Sequence, residues 1–275
     1  MVRLLVGCVA VIAAVVLVQL VVRGLGADSS GEAAALAAGV IAVAVYAGFV
    51  RLVERRAVDE LAPARAAELI PGFLGGALLF TTVIAILWLT GACDVKWGAG
   101  WSVVPGALAA AAGASLVEEI LVRGLFFRLV EEVIGTWYAL ALSAAIFGLL
   151  HAFNPNATVF AAIAIALEAG VLLAAAFVVT RRLWLAIGLH AAWNFTQGGI
   201  FGASVSGHET NGLLESSFSG SDLLTGGDFG PEASIVAVIV CLLAGVGLLA
   251  LAVRRRRVMP PSWRMSHLSA GSNQR

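Results

Sequence analysis

The strongest constraint on this chain is a succession of long apolar runs. A helix needs about 20 apolar residues to cross the ~30 Å hydrocarbon core of a bilayer. Runs suited to that task cover 4–22, 33–50, 72–93, 105–127, 137–151, 159–180, 183–201 and 233–253. The fifth is short for a span, and the turn-forming Asn154-Pro155-Asn156 stops it. The first exceeds the ~7–15 apolar residues of a cleaved signal peptide, so it reads as a retained helix. Of the 275 residues 60% are hydrophobic and only 12% charged, against about 25% charged in a soluble domain. The expected fold is all-α: a polytopic integral membrane protein with about eight transmembrane helices around an intramembrane polar cavity.

The placement of basic residues tests that count. Arg3, Arg51, Arg55, Arg56, Arg65, Arg128, Arg181, Arg182, Arg254 to Arg257, Arg264 and Arg275 fall on one side of the eight-helix scheme. The other side keeps only Arg23 and Lys96, and Arg123 lies within the fourth run. The positive-inside rule therefore predicts cytoplasmic N- and C-termini. The organisation that follows has three helices and an interfacial segment, 51–70, read as a Pro-broken helix on the membrane surface, within 1–100. A core of four helices occupies 101–201, an extracytoplasmic loop 202–231, the eighth helix 232–254 and a cytoplasmic tail 255–275. The tail reads as disordered from Pro260 onward.

Several function classes are excluded. There is no P-loop or dinucleotide fingerprint, no internal repeat, and no basic and aromatic surface pattern for nucleic acid. Cys8, Cys93 and Cys241 fall in or at the end of apolar runs without CxxC spacing, and read as small buried hydrophobes. His208-Glu209 lacks the second His of an HExxH zinc helix.

Against this background 115–128, SLVEEILVRGLFFR, stands out. It holds Glu118, Glu119 and Arg123 inside a run otherwise built for lipid. Each charge costs about 2.5–3.5 kcal/mol at the centre of a spanning helix on insertion scales. They must pair, line a polar cavity or do chemistry. Glu119 and Arg123 stand at i,i+4, the spacing of a buried ion pair, which leaves Glu118 without a local partner. Two later runs carry further polar groups four residues apart on one helix face: Phe147 with His151, and His190 with Asn194. Gln197 extends the second stripe, Glu168 is a solitary acid in the sixth run, and Phe147 reads as packing that shapes the site. Glu118 and His151 lie nearly equidistant from Gly135. At about 1.5 Å per residue both sit roughly 24 Å from the bend of a helical hairpin. A carboxylate beside an imidazole can activate a water molecule, while a second His and an Asn amide can stabilise an oxyanion. That combination suits amide hydrolysis.

The ordered motifs EEILVR, FGLLH and HAAWN resemble those of the CAAX-protease and bacteriocin-processing family of intramembrane endopeptidases, which includes the Ras-converting CAAX endopeptidases. The resemblance implies that Glu118 and His151 activate the water and that His190 and Asn194 stabilise the oxyanion. Glu119 and Arg123 would then shape the site. It implies a protein or peptide substrate at the membrane, the lipid bilayer as a partner, no nucleic acid, and a multi-pass location in a bacterial plasma membrane. No cofactor is expected. If zinc were bound, Glu118, His151 and His190 would hold it with an open position, though their spacing does not demand a metal. Two other classes compete. A non-catalytic scaffold or bacteriocin self-immunity protein would keep the fold without the chemistry. A transporter would use Glu118, Glu168 and the histidines as a relay, but lacks a visible inverted repeat.

Overall fold

A computed structural model describes residues 2–24 and 31–262. Arg264, Arg275 and most of the predicted tail lie outside the described residues. The chain is an all-α, multi-pass membrane protein. Its first helices, α1 (Val2–Gly24) and α2 (Gly31–Leu52), are followed by α3 (Leu69–Leu89). The next run joins α4 (Val104–Glu119) to α5 (Arg128–Ile134) through a π-helical stretch, Ile120–Phe127. Gly135, at φ +79°, turns the chain into α6 (Thr136–His151). Then α7 (Val159–Ile165), opened by the Thr158 hydroxyl accepting from Ala161 N, continues through π-helical Ala166–Gly170 into α8 (Val171–Thr180). After α9 (Trp184–Asn194) comes a third π-helical stretch, Phe195–Ile200. A short α10 (Asp222–Thr225) precedes α11 (Ile235–Arg254).

All eight predicted runs are therefore helical, but they are not equally suited to lipid. Five runs among the described residues are long and apolar enough to cross a membrane: Gly31–Leu52, Pro63–Leu89, Trp101–Ile134, Val159–Thr180 and Ile235–Arg254. Helix α6 is apolar but shorter. In α9 and its continuation the apolar run is diluted by His190, Asn194 and Gln197.

Two expectations need correction. The segment 51–70 is not a surface helix: α2 stops at Leu52, Arg55 adopts φ +54°, and only short 3-10 turns, Asp59–Leu61 and Pro63–Glu68, precede α3. Ion pairs hold it instead. Arg56 bonds Glu54 at 2.8 Å and Glu60 at 2.9 Å, while Arg128 reaches Glu54 at 2.9 Å. Pro63, lacking an N–H, interrupts a continuous helical ladder. The second correction concerns 202–231, expected as a loop: its Leu214–Phe218 forms β2, paired antiparallel with β1 (Cys93–Trp97). That pairing ties the segment down over one end of the bundle.

Small residues set the helix spacing around the site. Where α3 crosses α9, a Cβ on Gly188 would stand 2.6 Å from the Leu69 carbonyl oxygen. In lipid, where apolar burial gives little drive to pair helices, such close backbone approach supplies the van der Waals packing. It fixes α9, and with it His190, against its neighbour.

Candidate active site

The polar residues of α4, α6 and α9 converge. Glu119 is fully buried and accepts two hydrogen bonds at one oxygen, from Arg123 Nη1 and from His190 Nδ1, each 2.9 Å. Arg123, also fully buried, donates through Nη2 to the carbonyls of Ala169 and Gly170 at 3.2 Å. Those carbonyls belong to the π-helical stretch before α8, and Arg123 itself sits in the π-helical stretch after α4. Such wide turns gather at functional sites. The predicted ion pair is present, and it does more than neutralise Arg123: it anchors the imidazole of His190 across the bundle.

Glu118 lies one helical step away and faces elsewhere. Its carboxylate is half-buried; Oε2 is 4.0 Å from His151 Nε2 and 3.9 Å from His190 Nε2, and has no hydrogen-bond partner among the described residues. Both imidazoles are held by their other nitrogen. His151 Nδ1 donates to the Phe147 carbonyl at 2.8 Å, and His190 Nδ1 to Glu119. With those roles assigned from the hydrogen-bond partners, each Nε2 is turned towards Glu118. A water about 2.8 Å from two such atoms closes a triangle on a base near 4 Å. Phe147 forms the floor. Its ring centroid is 4.6 Å from that of His151, 6.0 Å from that of His190, and 4.5 Å from the Arg123 guanidinium carbon. The last contact is a cation–π stack.

The side chain of Asn194, one turn beyond His190 in α9, makes no hydrogen bond to another described residue. It borders two spaces. One is an open cleft of about 840 Å³ lined also by Glu118 and His151. The other is a small cavity of about 20 Å³ behind the histidines, lined by His151, His190, Asn194, Glu168 and Glu232, with room for about one water. Glu168, a candidate from sequence, is buried beside this cavity rather than in the cleft. Gln197 turns away: it is fully buried and its amide donates to the Ser204 carbonyl at 2.5 Å.

Glu232 escaped the sequence reading because it stands at the edge of the eighth apolar run; it lies in a short 3-10 turn, Pro231–Ala233, before α11. Its carboxylate accepts from Ser206 N at 2.7 Å and is almost fully buried. Burial pushes its carboxyl above the usual range, opposed by His151 and by hydrogen bonds from Ser206. The one available signal was its position immediately before an apolar helix in a loop that lacks Lys and Arg. Among the described residues no group of three His, Cys, Asp or Glu side chains is arranged to hold a metal ion.

Residues 100–196 match the family described as type II CAAX prenyl endopeptidase Rce1-like. Over this segment the chain is similar to the CAAX-protease family. The matched stretch runs from the start of the α4 run to just past Asn194, and so contains the three motif helices. No curated protein and no solved structure matches the chain. The match supports a peptidase of the intramembrane CAAX-protease type in general. The first three helices, the 202–231 segment and α11 fall outside the match.

Proposed function

We propose that the protein is an intramembrane endopeptidase of a bacterial plasma membrane, hydrolysing a peptide bond with water activated by Glu118 and His151. The observation that carries this reading is the arrangement of Glu118. It is a half-buried carboxylate with an unpartnered oxygen, within about 4 Å of two imidazoles whose outer nitrogens are already fixed. Glu119 also keeps one oxygen unpartnered, but its Oε1 is committed to Arg123 and His190, whereas no hydrogen bond among the described residues holds the Glu118 carboxylate.

In the mechanism, water lies between Glu118 and the Nε2 of His151. Glu118 takes one proton as the water oxygen bonds to the scissile carbonyl carbon. The electron pair displaced onto the carbonyl oxygen is met by the Asn194 side-chain amide and by His190, which donates from Nε2 when it carries two protons. Collapse of the tetrahedral intermediate breaks the C–N bond, and Glu118 returns its proton to the leaving amine. Glu119 holds His190 in orientation, while Arg123 balances the Glu119 charge. No metal is required by this scheme.

The test is mass spectrometry of protein termini in native membranes, comparing wild type with Glu118→Gln and His151→Ala at equal expression. Termini that vanish in both variants identify proteolysis and a substrate together. If no terminus changes and both variants still rescue the deletion phenotype, the peptidase reading fails and a scaffold or self-immunity role replaces it.

A further inference from the structure

The bundle has two chemically different ends. Helix α2 runs from Glu32 to Arg51, the α4 run from Ser102 to Arg128, and the run through α7 and α8 ends at Arg181. Helix α9 begins behind Arg182 and ends at Asn194, and α11 ends at Arg254. One face therefore collects the arginines. The other carries β1, β2 and the 202–231 segment, with Lys96 and the Arg23 end of α1 as its basic positions.

The two faces also differ in openness. The arginine face is latched by Arg128–Glu54 at 2.9 Å, Arg56–Glu60 at 2.9 Å and the Arg181–Glu131 pair, to which Thr136 adds a hydrogen bond. The cleft of about 840 Å³ opens the opposite way. Exposed Ser102, Glu209 and Asn211 stand at its mouth, and Glu118, His151 and Asn194 at its floor. No Lys or Arg lines it, whereas Glu32, Glu118 and Glu209 do. Positive-inside bias assigns the arginine face to the cytoplasm. A cleft with acidic walls concentrates cationic ligands.

We propose that the site is loaded from the extracytoplasmic side and that its substrate is an extracytoplasmic polypeptide segment bearing Lys or Arg near the cleaved bond. The substrate half rests on the peptidase reading above; the direction of access does not. A substrate whose cleaved end lies in the cytoplasm, as a prenylated C-terminus does, faces the latched side.

Two measurements separate these halves. Reporter cysteines, Ala110→Cys in the cleft wall, Asn211→Cys at the mouth and Arg255→Cys on the arginine face, are introduced one at a time into the full chain. Intact cells are treated with a membrane-impermeant maleimide, and labelling is read above the background of the native cysteines. Ala110→Cys and Asn211→Cys are expected to label in intact cells, and Arg255→Cys only after permeabilisation. The reverse pattern overturns the proposal. Fluorogenic peptides of opposite net charge are then offered to sealed right-side-out and inside-out vesicles, with Glu118→Gln as the blank. Basic peptides should be cut at least about tenfold faster than acidic ones, and only in right-side-out vesicles. Faster cleavage of acidic peptides overturns the charge preference, and cleavage in inside-out vesicles overturns the direction. Labelling as expected with no Glu118-dependent cleavage of either peptide sinks the peptidase reading and leaves the access direction standing.

Discussion

Glu118 and Glu119 are adjacent in sequence, and their isosteric replacements should fail in opposite ways. Glu119→Gln removes the negative charge from a fully buried oxygen that holds both Arg123 and His190 at 2.9 Å. Arg123 would keep only neutral acceptors, the new amide oxygen and two backbone carbonyls at 3.2 Å. Leaving one member of a buried ion pair uncompensated costs about 3–5 kcal/mol. At about 1.4 kcal/mol per decade, that is roughly two to three and a half orders of magnitude in the unfolding equilibrium. Glu118→Gln breaks no hydrogen bond among the described residues, because its buried oxygen has none to lose. Its stability should stay within about 0.5 kcal/mol of wild type, while removal of a general base lowers turnover by about 10²–10⁴. Unfolding by SDS titration in mixed micelles, set beside cleavage rates on one peptide, reads both quantities. Equal destabilisation by the two variants, or wild-type turnover in Glu118→Gln, would refute this division of labour.

Asn194→Ala should lower kcat by about 10²–10³ as an oxyanion donor is lost, with KM and unfolding unchanged; a change confined to KM would contradict the role. Gly188→Ala forces α9 away from the Leu69 carbonyl, and should cost about 1–3 kcal/mol of stability in the same micelles; an unchanged midpoint would mean that the contact is slack. Glu232 supplies a pH test. Its folded pKa is raised above the ordinary 4.5, so the native state binds the extra proton. The stability it contributes is complete below 4.5 and is lost as pH rises from there through the raised value. Glu232→Gln should flatten the fall in stability above pH 4.5 and leave the protein more stable than wild type at neutral pH; a wild-type slope in the variant would contradict this.

Much of the architecture was legible in the sequence, because a bilayer turns composition into structure. Apolar length, Gly135 as the bend, and Asn154-Pro155-Asn156 as a stop located every long helix. Helical periodicity further separated Glu118 from Glu119 and paired Glu119 with Arg123. These are local relations, fixed by a rise and a turn per residue. The same logic failed at 51–70, where ion pairs to Arg128 and the break at Pro63 outweighed an amphipathic pattern. It was also blind to β1 and β2, whose partners are distant in sequence.

What the sequence determined by itself was the set of spanning helices, the side of the membrane favoured by the arginines, and the polar groups that each helix contributes. Tertiary structure alone decided which of those groups meet. The bond between His190 and Glu119 joins residues 71 apart, and it exists because α4 and α9 pack with the two side chains at one depth. Packing also brought Glu232 behind the histidines, turned Gln197 to Ser204, and left the cleft open on the face away from the arginines. Local patterns encode which face of a helix is polar. The distance between two faces depends on how every intervening helix packs, and no short stretch of sequence carries that information.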